Sequence, residues 1–291
     1  MLIGRLRVAL ARLRAAVFGR PDAGSGEPAG RPTAAVGCSV AGAKHDRNED
    51  AWRARTPTPE TLAIAVADGL GSAERGREGA AVATEAAIEE LTAGLAEAAD
   101  AAPEERMQAA FAAARSALAE RATELDVPID ALGTTLVAVA GDRSGTAAAA
   151  VGDGGVVGDD EGRYFPVLDR EAGEYANVTT PLTAPDWTDA YRFAQTDRVD
   201  GVAAFTDGLG NFAWAEAGAA TPETAFFEQV FPPVRATKRA GDVESELCAF
   251  LEDEHFAEYS RDDKTLVVGL LGNQNEEADR PISAPTGEAS R

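Results

Sequence analysis

Lysine is almost absent from this chain of 291 residues, which contains only Lys44, Lys238 and Lys264. Arginine carries nearly all of the positive charge, and the net charge is −22 because 49 acidic residues face 27 basic ones. A nucleic acid backbone requires a cationic protein face, so nucleic acid is excluded as a main partner. An acidic, lysine-poor and alanine-rich composition suits either a high-salt cytoplasm or a GC-rich genome, and we favour the halophilic interpretation.

Cysteine and long apolar runs are scarce as well. The two cysteines, Cys38 and Cys248, each lie in an apolar run, so both are predicted to be small buried hydrophobic residues. Their spacing indicates neither a zinc site nor a redox pair, and a reducing cytosol fits them. No apolar run reaches the length of a membrane span, and we therefore expect a cytoplasmic protein.

The two ends of the chain differ in composition from its middle. Residues 1–20 contain five arginines and no acidic residue, and their apolar residues recur at helical spacing. This pattern predicts a basic amphipathic helix, which either contacts an anionic membrane surface or a partner, or packs on its own domain or frays. Residues 21–33 form a Pro/Gly linker, and residues 272–291 are predicted to be a disordered tail.

Residues 34–271 are predicted to form the main domain. Strand-like runs precede and follow two alanine-rich helices, which are predicted over about residues 74–99 and 103–125. Strands, two consecutive helices and further strands favour a layered α+β domain over a regularly alternating α/β one. Residues 169–199 are polar and are predicted to be a long irregular excursion, and residues 159–161 to be a solvated hairpin turn.

Four aspartates recur at the ends of strand-like segments. They are Asp50 in NED, Asp68 in VADGLG, Asp207 in FTDGLG and Asp262 in RDDKT. A carboxylate at the end of a buried strand is costly unless a positive charge lies against it. Hard ions such as Mg²⁺ and Mn²⁺ take carboxylate ligands. One Asp-Gly pair alone could be a plain turn, but the whole set predicts a divalent metal site.

The order of these motifs, NED, ADG, GTT, GDG, TDG and RDDKT, resembles the PPM, or PP2C-type, metal-dependent protein Ser/Thr phosphatases. The resemblance runs from about Gly37 to Leu271. It implies a four-layer α-β-β-α sandwich of two antiparallel sheets flanked by helix pairs. It also implies hydrolysis of phosphoserine and phosphothreonine in proteins by a binuclear Mg²⁺ or Mn²⁺ centre with a bridging hydroxide. Residues 169–199 would be the family's flap, and we expect a monomer.

The resemblance also implies the ligands of two metals and of a third, more weakly held one. By this resemblance Asp68 bridges both metals, and the Gly69 carbonyl binds the second metal. Asp207 and Asp262 complete the ligands of the first metal, and Asp153 is a ligand of the third metal. Glu49 and Asp50 form the acidic pair of the family's first sequence motif. Asp68, Glu49 and Asp50 are the residues expected to act in catalysis.

The phosphate contact departs from the family pattern. Most relatives have an arginine three residues before the position of Asn48, whereas His45 stands there in this chain, flanked by Lys44 and Arg47. We predict that these three residues bind phosphate; the alternative is that His45 is an exposed loop residue. Other departures are Leu70, where eukaryotic members have a histidine, Asn211, where an acid is often found, and the absence of Ser-Arg after Asp153.

Two other functions compete with the phosphatase. A pseudophosphatase would bind a phosphoprotein through the same fold without hydrolysing it, and the missing arginine argues mildly for this alternative. The retained acidic residues argue against it. A hydrolase of small phosphate esters is the third candidate.

Overall fold

The computed structural model describes residues 33–44, 47–96, 101–142, 144–168, 179–215, 221–236 and 240–272. The strands are β1 (Ala34–Val40), β2 (Asp50–Arg55), β3 (Leu62–Asp68), β4 (Leu136–Gly141), β5 (Thr146–Val151), β6 (Gly155–Asp160), β7 (Arg163–Leu168), β8 (Arg192–Thr196), β9 (Gly201–Phe205) and β10 (Lys264–Leu270). The helices are α1 (Gly76–Ala96), α2 (Pro103–Leu125), α3 (Gly210–Ala213), α4 (Thr224–Ala236), α5 (Ala240–Leu251) and α6 (Glu254–Tyr259).

The strands form two antiparallel sheets that face each other. The first sheet has the strand order β1-β10-β9-β6-β7, and the second has the order β2-β3-β4-β5-β8. Helices α4 and α5 pack on the outer face of the first sheet, and α1 and α2 pack on the outer face of the second. The predicted α+β fold, a four-layer α-β-β-α sandwich, is therefore confirmed.

Strand β3 shows why this sequence builds a layered fold. Its large aliphatic residues Leu62, Ile64 and Val66 alternate with alanines. Successive strand residues point to opposite faces, so the aliphatic side chains fill the space between the sheets and the alanines face the helices. A strand that is covered on both faces has a continuous apolar sequence, which makes it predictable.

The two outer layers are packed with different residues. The layer between the second sheet and its helices is rich in alanine, and backbones approach closely there: a Cβ on Gly79 would lie 2.1 Å from the carbonyl oxygen of Leu132. The layer on the first sheet is filled by aromatic rings instead. These are Phe205, Phe212, Phe226, Phe227, Phe231, Phe250 and Phe256.

Strands β2 and β8 and helix α4 are among the elements that the sequence analysis did not predict. Strands β2 and β8 are edge strands of the second sheet, so their half-exposed residues lack a continuous apolar run. Strand β8 falls within residues 169–199. Helix α4 contains Pro232 and Pro233, which remove backbone donors and normally argue against a helix. Burial of its phenylalanines outweighs that preference.

Asp159 was predicted to lie in a solvated hairpin turn, but the structure buries it. Its side chain is fully buried, and its Oδ2 lies 2.6 Å from Nη2 of Arg235 in α4. The N–H of Gly162 donates to Asp159 Oδ1 at 2.8 Å. Desolvation raises the pKa of Asp159, and the charge of Arg235 lowers it. The prediction for this residue is wrong because α4, which covers it, was not predicted.

Cys38 in β1 and Cys248 in α5 form a disulfide, with their Cα atoms 5.4 Å apart. The prediction of two separate buried hydrophobic residues is therefore wrong. The cysteines are 210 residues apart in sequence, and only the packing of α5 on β1 brings them together. Disulfides persist mainly in oxidising compartments, so the cysteines no longer support a reducing cytosol.

Replacing both Cys38 and Cys248 with alanine should lower the free energy of unfolding by about 2–4 kcal/mol, because the crosslink constrains the unfolded chain. Urea denaturation measures this loss. A reductant should destabilise the wild-type protein by a similar amount, and a wild-type stability that is insensitive to reductant would contradict the disulfide.

Residues 1–32 and 273–291 lie outside the described residues, so the N-terminal helix, the linker and the tail stay predictions. Within the described ranges, none of the helices combines the length and the apolar character that crossing a bilayer requires.

Candidate active site

The predicted acidic residues meet at one end of the sandwich, between the two sheets. Asp50 at the start of β2 lies opposite Asp68 at the end of β3. Asp207 follows β9 and Asp262 precedes β10, and these strands are antiparallel neighbours in the first sheet. Antiparallel pairing places the end of one strand beside the start of the next. Each sheet therefore contributes two aspartates to the same end of the molecule.

Two hydroxyls of the first sheet hold the carboxylate of Asp50 in the second. Thr206 Oγ1 and Thr265 Oγ1 donate to Asp50 Oδ2 at 2.8 and 2.6 Å. Thr265 Oγ1 also lies 2.6 Å from Ser39 Oγ, which accepts from Asn48 Nδ2 at 2.8 Å. A hydroxyl has one proton, so Ser39 must donate to Thr265. The donors thus run in one direction toward Asp50, which favours its ionised form.

The glycines of two Asp-Gly pairs mark close approaches between backbones. A Cβ on Gly69 would lie 2.3 Å from the carbonyl carbon of Gly76, at the start of α1. A Cβ on Gly208 would lie 1.8 Å from the carbonyl oxygen of Asp263. Neither Gly69 nor Gly208 has a positive φ. Glycine is required there by packing, which brings the neighbouring element against each aspartate.

Asp263 organises the loop that precedes β2. Its side chain is buried, and it accepts the backbone N–H groups of Gly42 and Glu49, each at 2.7 Å. These bonds hold both ends of the loop against the start of β10. The sequence interpretation missed this role, because it assigned only the first acid of RDDKT; the second acid was the available signal.

Desolvation dominates the electrostatics of the site. Burial raises the pKa of Asp68, and the charges of Asp50 and Asp207 raise it further. Burial also raises the pKa of Asp207 to about 7, with Asp153 as the largest like-charge contribution. The pKa of Asp50 is raised by burial although its hydroxyl partners lower it. In the absence of a cation, these carboxyls retain protons above the pH range usual for aspartate.

Two lysines lie beside Asp262. Lys44 Nζ donates to Asp262 Oδ2 at 2.8 Å, and this hydrogen bond raises the pKa of the half-exposed lysine. Lys264 is buried, its Nζ donates to the Asp262 carbonyl at 3.0 Å, and burial lowers its pKa. In the described part of the chain, no group of three or more Asp, Glu, His or Cys side chains is arranged so that it could coordinate one metal ion. Asp262 is engaged by Lys44 instead.

The donor set nevertheless fits a hard divalent cation. Asp50 Oδ1 is buried without a hydrogen bond of good geometry. Carboxylate oxygens are the donors that Mg²⁺ and Mn²⁺ prefer. A cation would also remove the repulsion that raises the pKa values of Asp68 and Asp207. The residues that would hold it are Asp68, Asp207 and Asp262, with Asp50 beside them.

The other predicted ligands lie around this cluster. Asp153 Oδ2 accepts from Thr179 at 2.8 Å, and its charge acts on Asp207. The N–H of Gly69 donates to the carbonyl of Glu49 at 3.2 Å, so these two residues also meet at the strand ends.

The structure describes only two of the three residues that are predicted to bind phosphate. Lys44 is at the site, and Arg47 is exposed in the same loop. His45 lies outside the described residues, so its contact with phosphate stays a prediction. Asn211 Nδ2 donates to the carbonyl of Tyr259 at 3.1 Å.

Comparison with known proteins agrees with this arrangement. The family model "Protein phosphatase 2C" matches residues 41–252, well over half of the chain. Serine/threonine-protein phosphatase 3 of Escherichia coli (strain K12) is 32% identical over 213 residues, which make up 72% of this chain and 83% of that protein. The chain belongs to the protein phosphatase 2C family. The predicted enzyme class, a protein phosphatase of the 2C type, is confirmed.

Solved structures share the fold of this phosphatase. The serine/threonine phosphatase of S. agalactiae superposes with a TM-score of 0.56 at 16% identity, covering 82% of this chain and 99% of its own. RsbX, whose structure was solved in complex with magnesium, gives a TM-score of 0.51 at 14% identity and covers 82% of this chain and 96% of its own. At these identities the likeness supports the sandwich fold alone.

Thr265→Val should weaken Mn²⁺ binding about 10- to 100-fold, because groups that orient metal ligands contribute on that scale. The variant keeps the side-chain shape and removes a donor to Asp50. Isothermal titration calorimetry with MnCl₂ measures the change. Thr146→Val is the matched control, since Thr146 is buried and its hydroxyl has no hydrogen-bond partner among the described residues. Equal affinity for Thr265→Val and wild type would contradict the positioning role.

The metal-free protein should lose stability as the pH rises. A group whose pKa is higher in the folded than in the unfolded state stabilises the fold fully when the pH is below the unfolded pKa. That stabilisation is lost as the pH rises through the folded pKa. Asp207 has a folded pKa of about 7, whereas an unfolded aspartate titrates near about 4. Between about pH 5 and about pH 8, the free energy of unfolding in EDTA should therefore fall by about 2 kcal/mol.

Urea denaturation at the two pH values measures this fall. Asp207→Asn should reduce the pH dependence, whereas Asp160→Asn, on the exposed β6–β7 hairpin, should keep it. A metal-free protein whose stability rises over this range would contradict the electrostatic account.

Proposed function

We propose that this phosphatase hydrolyses phosphoserine and phosphothreonine in proteins, with two Mg²⁺ or Mn²⁺ ions held at the end of the sandwich. The observation that carries the proposal is the cluster of Asp50, Asp68, Asp207 and Asp262, where desolvation and like charges raise pKa values. The name of the E. coli relative supports the substrate class, and the magnesium complex of RsbX supports the ion.

The individual ligand assignments belong to the same proposal. Asp68 lies centrally, because the charges of Asp50, Asp207 and Asp262 all act on it, which suits a ligand shared by two ions. The Gly69 carbonyl would serve the second ion, and Glu49 would act with Asp50 at the edge. Asp153, which accepts a hydrogen bond from Thr179 and whose charge acts on Asp207, would hold a third ion weakly.

When bound, the cations supply an activated water and neutralise the phosphoryl oxygens. The chain contributes a fixed carboxylate array, in which Thr206 and Thr265 orient Asp50. In the reaction, the bond between phosphorus and the seryl or threonyl oxygen breaks, and a bond from the water oxygen to phosphorus forms. The leaving oxygen takes up a proton. Leu70 cannot donate one, so water or another residue supplies it.

Phosphate binding is assigned to the loop before β2. Lys44 pairs with Asp262 in this structure. If Asp262 held a cation, the ammonium group of Lys44 would be available to a phosphoryl oxygen, and the exposed Arg47 lies in the same loop. His45 completes the proposed set of donors.

Finer points of organisation are also proposals. We expect a monomer, a flap over residues 169–199 and a membrane or partner contact through residues 1–20. The bond from Thr179 to Asp153 supports a flap that borders the site. A cytoplasmic location stays a prediction, against which the disulfide argues.

Asp68→Asn should abolish Mn²⁺ binding in calorimetry and reduce turnover of a phosphothreonine peptide by about 100-fold or more, since even changes to groups behind the ligands cost about 10- to 100-fold. Phosphate release in the presence of Mn²⁺ measures turnover. The control is Asp160→Asn, which makes the same charge change at an exposed position and should retain activity.

The same assay separates the rival functions. Turnover of p-nitrophenyl phosphate without turnover of the phosphopeptide would identify a small-ester hydrolase. No turnover of either substrate by the wild-type protein would identify a pseudophosphatase. Unchanged Mn²⁺ binding by Asp68→Asn would contradict the ligand assignment.

A further inference from the structure

A groove of about 920 Å³ runs along the edge of the sandwich where β1 of the first sheet and β2 of the second lie side by side. We call it the edge groove; Asn48, Asp50, Trp52, Arg53, Arg55 and Arg77 are among its lining residues. We propose that the edge groove binds an extended acidic segment of the phosphoprotein substrate, next to the phosphorylated residue. This inference rests on the proposed function and adds a substrate preference to it.

The edge groove is continuous with the candidate active site. Asn48 and Asp50 line its inner end, and both belong to the hydrogen-bonded chain of the site. Its outer end is lined by Arg55 and Thr56. Strand β2 spans the six residues between these ends, and a strand rises about 3.3 Å per residue. The groove therefore accommodates about five substrate residues on one side of the phosphorylated residue.

The edge groove is cationic in a protein whose net charge is −22. Arg53 and Arg55 come from β2 and Arg77 from the first turn of α1, whereas Asp50 is the one acidic residue among the described lining residues. Arg53 forms an ion pair with Glu85 at 2.5 Å. Arg55 and Arg77 are exposed. This charge is complementary to carboxylates that flank a phosphorylated residue.

The backbone of β2 is directed to receive an extended chain. The N–H of Gly69 donates to the carbonyl of Glu49. The backbone N–H and C=O groups of Glu49 and of every second residue after it therefore point toward β3. Backbone groups alternate in direction along a strand. Those of Trp52 and Ala54 therefore point away from β3, toward the edge groove. An open strand edge of this kind pairs with an added peptide strand.

The side chains at the edge agree with this direction. Arg53 Nη1 and Arg55 Nη1 donate to the carbonyls of Trp52 and Ala54, at 2.9 and 3.0 Å. These bonds occupy the two carbonyls, so a peptide strand that paired with β2 would take the place of the guanidinium groups there and leave them beside its acidic side chains. A Cβ on Gly37 of β1 would lie 3.0 Å from the Trp52 indole, so the other wall of the groove is close packed.

Three phosphothreonine peptides test the proposal: one with neutral flanks, one with three acidic residues before the phosphothreonine and one with three after it. With Mn²⁺, one of the acidic peptides should show a kcat/KM about 5- to 20-fold above that of the neutral peptide, mainly through KM. An exposed ion pair is weak, so each should account for about a 1.5- to 5-fold effect.

Arg55→Gln and Arg77→Gln should each reduce the ratio of acidic to neutral kcat/KM about 1.5- to 5-fold. Arg163→Gln, which makes the same charge change on the distant strand β7, is the matched control and should keep the ratio. Fluorescence anisotropy with labelled peptides and the Asp68→Asn variant measures binding without turnover, and it should show the same order of affinities.

The outcomes distinguish the two proposals. If none of the three peptides is hydrolysed, the proposed function is wrong, while anisotropy still tests the groove. If all three peptides bind and react equally, or the acidic preference survives both arginine variants, docking of an acidic segment in the edge groove is wrong.

Discussion

The hydrogen bonds from Thr206 and Thr265 to Asp50 are the interaction on which the site depends, because they join the two sheets at the end where the aspartates meet. Each sheet alone brings two acidic residues together through antiparallel pairing. Only contact between the sheets brings the four together. A carboxylate held by two buried hydroxyls fixes both the distance between the strand ends and the direction of its second oxygen.

The cost of this arrangement is electrostatic. Desolvation and mutual repulsion raise the pKa values of Asp50, Asp68 and Asp207, while Lys44 balances Asp262. A divalent cation removes the repulsion, so ion binding and fold stability are coupled at this end of the sandwich. The rest of the fold maintains the array: the glycines allow close backbone contact, and Asp263 fixes the loop that carries the proposed phosphate donors.

The buried strands and the four aspartates were predictable from sequence because their signals are local. Strand β3, for example, is covered on both faces and therefore has an unbroken apolar sequence. Edge strand β2 and helix α4 were not predictable, since the first is half exposed and the second contains two prolines. The burial of Asp159 was not predictable either, because it depends on Arg235 of α4.

Long-range partnerships were the other gap. The disulfide joins cysteines 210 residues apart, and the chain of donors from Asn48 through Ser39 and Thr265 to Asp50 joins three segments. Nothing in the local sequence marks Ser39 or Thr265 as a partner of a carboxylate. Asp263 was visible as the second acid of its motif, but its role depends on a loop more than 200 residues earlier.

The most direct test of the account is the anomalous diffraction of crystals grown with Mn²⁺. We expect manganese peaks bounded by Asp68, Asp207 and Asp262, with Asp50 oriented by Thr206 and Thr265 and with Lys44 displaced from Asp262. Manganese bound elsewhere, or an aspartate cluster that remains metal-free at saturating Mn²⁺, would contradict it.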